Sequence, residues 1–204
     1  MGTAKSCRQL IIPGASSAYL VTRAITGGVP SCLFDIPNLT TLHLSGNGLT
    51  GSIPSDVQLG PRLVDLAMSQ NLLTGSIPAV IQQREFYRLD LSNNRFNGML
   101  REDFNTHSIE IQRTYENGGV IQPIFVKDTY SKELSLENNR LSGRIPASVM
   151  HLQNISILAG NMFTCDWQQT NLPDGDQGRD SFQCGSNAFD AQYYSWLIVV
   201  CVVI

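Results

Sequence analysis

One feature constrains this chain more than any other: it repeats itself with a period of 24 residues. Leu39-x-x-Leu42-x-Leu44-Ser45-x-Asn47-x-Leu49-Thr50-Gly51-x-Ile53-Pro54 recurs as Leu63-x-x-Leu66-x-Met68-Ser69-x-Asn71-x-Leu73-Thr74-Gly75-x-Ile77-Pro78. A third copy keeps Leu89, Leu91, Ser92, Asn94, Phe96, Gly98 and Leu100. A fourth keeps Leu134, Leu136, Asn139, Leu141, Ser142, Gly143, Ile145 and Pro146. Ile25-Thr26-Gly27-x-Val29-Pro30 is an upstream half-copy, with its strand near Tyr19 to Val21. Leu158-x-x-Asn161-x-Phe163 is a shortened last copy. A fixed period of this length implies a stack of identical coils rather than a globule closed on itself.

The residue types explain the stack. Leu-x-Leu alternation points both leucines to one face of a short strand. A single such strand cannot bury that face, so neighbours must stack into a parallel sheet. Each coil then adds about 4.8 Å, and six coils make an arc roughly 25–30 Å long. Asn47, Asn71, Asn94, Asn139 and Asn161 end the strands and are expected to point inward. An amide supplies donors and an acceptor to the backbone of adjacent coils. Glycine at Gly51, Gly75, Gly98 and Gly143 permits backbone conformations that a side chain resists. Pro30, Pro54, Pro78 and Pro146 then fix an extended segment behind the coil.

These motifs resemble the leucine-rich-repeat family, and the LxGxIP half is similar to its plant-type subclass. The resemblance covers residues 10 to 165. It implies an α/β solenoid: a horseshoe with a short parallel sheet on the concave face and mostly coil and 3-10 turns on the convex face. It divides the chain into an N-terminal segment (1–11), the solenoid (12–164), a cysteine-containing cap (165–192) and an apolar tail (193–204). The spacing between the third and fourth copies is 45 residues, from Leu89 to Leu134. Residues 101–132 therefore read as a degenerate repeat with its strand at Ile109-x-Ile111. The alternative is an inserted island of the kind some plant-type receptor ectodomains carry.

The repeating residues are structural, so recognition falls to the variable positions of the concave face. These are Thr41, His43 and Ser45; Asp65, Ala67 and Ser69; Arg88, Asp90 and Ser92; Glu133, Ser135 and Glu137. The set is polar with an acidic bias. It suits a protein, peptide or glycan ligand. In the resembling receptors such a module signals through a partner or a cytoplasmic kinase. A structural wall or adhesion protein, and a secreted inhibitor of a wall-degrading hydrolase, are the rival readings.

The five cysteines are Cys7, Cys32, Cys165, Cys184 and Cys201, and none forms CxxC. Cysteine-bearing caps are a habit of extracellular members of this family. A Cys165–Cys184 disulfide would seal the open end of the solenoid and contribute about 3 kcal/mol in the chain-entropy account. Cys7 and Cys32 are a second candidate pair. Asn38-Leu39-Thr40 and Asn154-Ile155-Ser156 are glycosylation sequons. Each lies just before a strand, on the route from the convex side. Cap and sequons favour the cell surface or secretion, although residues 1–10 lack the apolar core of a secretory signal. Met1-Gly2-Thr3-Ala4-Lys5-Ser6 fits a myristoylation pattern instead.

Trp196 to Ile204 is an unbroken run of nine apolar residues, preceded by Tyr193 and Tyr194. It reads as the first half of a transmembrane helix, which needs about 20 residues; a buried terminal strand is the alternative. Low charge, 15% of residues, and a net charge of −3 argue against a nucleic-acid binder. Gly14-Ala15-Ser16-Ser17-Ala18 misses the last glycine of a nucleophile elbow, and no P-loop, kinase or HExxH motif occurs. Asp174-x-Asp176-x-Gly178-x-Asp180 resembles a calcium loop only faintly, since Gly185 stands where an EF-hand needs Glu. No catalytic residue, metal site or cofactor is expected.

Overall fold

A computed structural model of the chain describes residues 18–19, 26–106, 112–114, 122–124, 133–166 and 168–185. The concave sheet is six-stranded and parallel throughout. Its strands are β1 (Ala18–Tyr19), β3 (Thr41–His43), β5 (Asp65–Ala67), β7 (Arg88–Asp90), β11 (Glu133–Ser135) and β13 (Ile155–Ser156). Leu42, Leu66, Leu89, Leu134 and Ile155 stand opposite one another in its register and are all buried. This is the leucine-rich-repeat solenoid that the period implies.

A second six-stranded parallel sheet runs along the LxGxIP halves, which the sequence reading had as extended coil only. Its strands are β2 (Thr26–Gly27), β4 (Gly48–Ser52), β6 (Leu72–Gly75), β8 (Arg95–Met99), β12 (Arg140–Arg144) and β14 (Met162–Thr164). Each coil thus makes two ladders, one on each side of the asparagine turn. Leu49, Leu73, Phe96, Leu141 and Phe163 point from this sheet into the core. Gly143 shows why the motif needs glycine. Its φ is +79°, and a Cβ there would lie 2.6 Å from the Met99 Cγ of the coil before.

The asparagines behave as their chemistry requires. The Asn71 Oδ1 accepts the Leu49 N–H at 3.1 Å, and its Nδ2 donates to the Leu44 carbonyl at 2.9 Å, both on the preceding coil. Asn94, Asn139 and Asn161 repeat the arrangement on Leu73 and Met68, on Phe96 and Leu91, and on Leu141 and Leu136. The residue just before each asparagine is left-handed: Gly46, Gln70, Asn93, Asn138 and Gly160, with φ between 53° and 71°. This is the sharp corner that carries the chain from one sheet to the other. Asparagine and glycine tolerate it best.

The convex side is short turns. Among the described residues it has 3-10 turns at Ser31–Leu33 and Ala147–Val149 and a short helix, α1 (Ala79–Gln83). Pro78 precedes α1 and Arg84, already extended, ends it. The buried Gln82 ties α1 to the next coil. It donates to the Ile77 carbonyl and accepts the Arg101 N–H.

For residues 101–132, read from the sequence as a degenerate repeat or an insert, the register of the strands on either side bears on the choice. Leu89 stands directly opposite Leu134, and Gly98 directly opposite Leu141. A further repeat would have placed a strand between them in each sheet. Within this stretch β9 (Gln112–Thr114) and β10 (Gln122–Ile124) form a separate antiparallel pair. Ile109 and Ile111 lie outside the described residues.

The C-terminal cap ends the stack. Cys165 and Cys184 form the expected disulfide, with a Cα–Cα distance of 5.6 Å. The Gly185 N–H donates to the Phe163 carbonyl on the edge of β14. On the other sheet the buried Asp176 carboxylate accepts the Ile157, Leu158 and Gly178 N–H groups at 2.7, 3.0 and 2.8 Å. It stands where the next coil would have offered its backbone. Cys32 is also disulfide-bonded; the expected partner Cys7 lies outside the described residues. No helix among the described residues is long and apolar enough to cross a membrane, and the tail at 193–204 lies outside them.

Candidate ligand-binding face

Strand alternation sets the concave face. Between the buried Leu42, Leu66, Leu89 and Leu134, the flanking residues of each strand turn outward. Two rows result. Thr41, Asp65, Arg88 and Glu133 share one, and His43, Ala67, Asp90, Ser135 and Ser156 share the other. Of the positions expected on this face from the sequence, Thr41, His43, Asp65, Ala67, Arg88, Asp90, Glu133 and Ser135 fall in these two rows.

The rows are cross-linked between coils. The His43 Nε2 lies 2.8 Å from the Asp65 Oδ1. The Arg88 Nε lies 3.3 Å from the Glu133 Oε1, outside hydrogen-bond geometry and shielded from solvent. The Ser69 hydroxyl meets the Ser45 hydroxyl at 2.9 Å. Asp90 accepts the Ser92 N–H and hydroxyl, and Glu137 accepts the Ser156 hydroxyl at 2.6 Å. These bonds hold the side chains in place before any ligand arrives.

Ala67 is a correction. It is buried, at 4% exposure, and offers a ligand almost no surface. Its methyl sits in register between His43 and Asp90, whose longer side chains reach past it. Ser69 and Ser92 are buried too, their hydroxyls bonded to Ser45 and Asp90. The surface open to a ligand is therefore made by Thr41, His43, Asp65, Arg88, Asp90, Glu133, Ser135 and Glu137. Four carboxylates face one guanidinium and one imidazole.

Asn154 and Ser156 belong to this face as well, which the sequence reading missed. Asn154 was expected on the convex route. Ile155 pairs with Leu134, so Asn154 occupies the same row as Glu133. Both line a cleft of about 460 Å³ between β11, β13 and the cap loop, together with Ser135, Glu137, Asp176 and Gln177. The register of β13 was the missing signal, because its copy of the motif is too short to align by eye. Asn38, the other sequon, is exposed in the turn before β3.

Two carboxylates off this face titrate unusually. The Arg101 guanidinium, with help from the Gln83 amide, holds Asp103 down to about 2. A hydrogen bond from the Thr170 hydroxyl holds Asp166 below the usual carboxylate range. Among the described residues no group of three or more metal-ligating side chains occurs. Asp176 and Asp174 of the calcium-like stretch are engaged otherwise, Asp176 by backbone N–H groups and Asp174 by Arg179.

Comparison with known proteins agrees with the geometry. The family described as Leucine Rich Repeat matches residues 38–59, 86–106 and 132–152. No curated protein matches the chain significantly. Among solved structures, the chain is similar to the ectodomain of the Arabidopsis receptor kinase HAESA in complex with an N-terminally extended IDA peptide hormone. Identity is 25% over 73% of this chain and 23% of that one, with a TM-score of 0.52. It is similar to the plant peptide hormone receptor RGFR1 in complex with RGF2, at 25% identity over 76% and 23% of the two chains, with a TM-score of 0.52. It is also similar to the BIR2 ectodomain of Arabidopsis thaliana, at 27% identity over 72% and 67%, with a TM-score of 0.52. The chain spans about a quarter of the length of the first two. With its two parallel sheets, asparagine ladder and LxGxIP turns, the chain has a leucine-rich-repeat solenoid fold, carries three repeats that match the leucine-rich-repeat model and is similar to plant receptor ectodomains of that fold.

Proposed function

We propose that this chain is a non-catalytic extracellular recognition module that binds a peptide or a protein segment on its concave face, as part of a receptor-like protein. One observation carries the reading. The polar rows are pre-positioned by hydrogen bonds, between coils for His43 with Asp65 and for Ser156 with Glu137 and within one coil for Ser92 with Asp90, and Asp65, Asp90, Glu133 and Glu137 outnumber Arg88 there. An acidic, rigid, concave strip favours a basic ligand and loses little entropy on binding it. The structurally similar HAESA and RGFR1 ectodomains, each solved in complex with a peptide hormone, add support. The cap disulfide fits an oxidising compartment. Anchoring through 193–204 is part of the same reading.

The test is a peptide array against the purified chain. Basic peptides are expected to be retained, and the double variant Asp65→Lys, Asp90→Lys to lose them. Retention that ignores peptide charge, or survives both reversals, refutes the concave-face reading.

A further inference from the structure

We infer that Asn154 is an N-glycan acceptor whose sugar closes the C-terminal end of the concave face and confines a large ligand to β3, β5 and β7. The consequence for the ligand rests on the concave-face reading; the modification and the closure do not. They need only passage through the secretory route.

Three observations carry the inference. Asn154-Ile155-Ser156 is an intact sequon. Asn154 is exposed, and Ile155 is buried in register with Leu134. Asn154, in the bend just before β13, lines the cleft on the concave side together with Glu133, Ser135 and Ser156. Third, the cap bounds this place on one side. The Leu134 N–H donates to the Asn154 carbonyl, which fixes β13 against β11. The cap loop packs beside it, with Gly175 so close to Leu152 that a Cβ would lie 2.2 Å from that residue's carbonyl oxygen. A sugar attached at Asn154 starts in the cleft between β11, β13 and the cap, beside Glu133 and Ser135. Adjacent strands are about 4.8 Å apart, so its first residues lie directly over those side chains.

The transfer is balanced with a lipid diphosphate-linked oligosaccharide as donor. The Asn154 amide nitrogen bonds to the anomeric carbon, the bond from that carbon to the diphosphate oxygen breaks, and the diphosphate leaves with the electron pair. The amide loses one proton. Asn38, exposed in a turn outside the concave rows, can carry a glycan without touching the binding face.

The experiment uses the full chain secreted from eukaryotic cells. Peptide mapping by mass spectrometry reads occupancy at Asn154. Ser135→Cys is then labelled with a maleimide-linked polyethylene glycol, with and without Asn154→Gln, and Thr41→Cys is the distant control. Asn154 is expected to be occupied, and labelling at Ser135→Cys to rise several-fold when Asn154→Gln removes the sugar, with Thr41→Cys unchanged. Asn154 recovered unmodified overturns the site, and equal labelling overturns the closure. Gln177→Cys, across the same cleft, gives the same readout should Ser135→Cys misfold. Loss of the concave-face reading in the peptide array leaves occupancy and labelling as they are, so the two failures are distinguishable.

Discussion

The residue that does most for this fold is the inward asparagine. Each supplies an acceptor to one N–H of the preceding coil and a donor to one of its carbonyls, in a position where water cannot substitute. Asn94→Ala strands the Leu73 N–H, at about 1–3 kcal/mol for a buried group, and leaves the Met68 carbonyl with the Asn71 amide as its remaining side-chain donor. The expected outcome is a loss of at least about 1 kcal/mol in urea denaturation. Asp103 acts at the surface. Arg101, and after it Gln83, lower its pKa to about 2, so its contribution is complete above the ordinary carboxylate pKa of about 4. It fades as the pH falls through about 2. Carboxyl NMR should find Asp103 titrating higher in Arg101→Ala than in Gln83→Ala, and higher in both than in the parent.

At the level of elements, the leucines announce the concave strands through their period, and the strands formed where the alternation placed them. The second sheet was less legible. Leu-Thr-Gly-Ser has the composition of a turn, and glycine is a poor strand former. Only stacking of identical coils turns it into a ladder, because each copy meets another copy with the same left-handed corner behind it. The cap follows the same logic in reverse. Asp176 read as a solvated acid or a weak calcium ligand. Its actual role, accepting the N–H groups that a seventh coil would have accepted, depends on residues 18 and 19 positions away. Asp176→Ala should leave the Ile157 and Leu158 amides without an acceptor. Hydrogen exchange at those two amides should accelerate, and the cap should open before the coils of β5 and β7.

For the whole molecule, register decides what the chain presents. The concave face is acidic. The outer face of the second sheet carries Arg95, Arg140 and Arg144 beside the exposed Met99 and Met162. A chain with a net charge of −3 is thus polarised across its width. β7 also pairs directly with β11, so the concave sheet is continuous from one side of residues 107–132 to the other. Replacing them by a Gly-Ser linker should leave circular dichroism unchanged and the melting temperature nearly so. A collapse of the fold would show that the segment is part of the core.

By itself the sequence determined the solenoid, its strand faces, the asparagine ladder and the capping disulfide. The solenoid, its strand faces and the asparagine ladder follow from contacts between a residue and its own copy one coil away, so a local period encodes them, and the disulfide follows from two cysteines placed just after the last copy. Tertiary structure alone decided that β7 pairs directly with β11, that Ala67 is covered, that Asp176 ends the sheet and that Asn154 lines a cleft beside β11. Each of those depends on packing across coils, which the spacing within one coil does not encode.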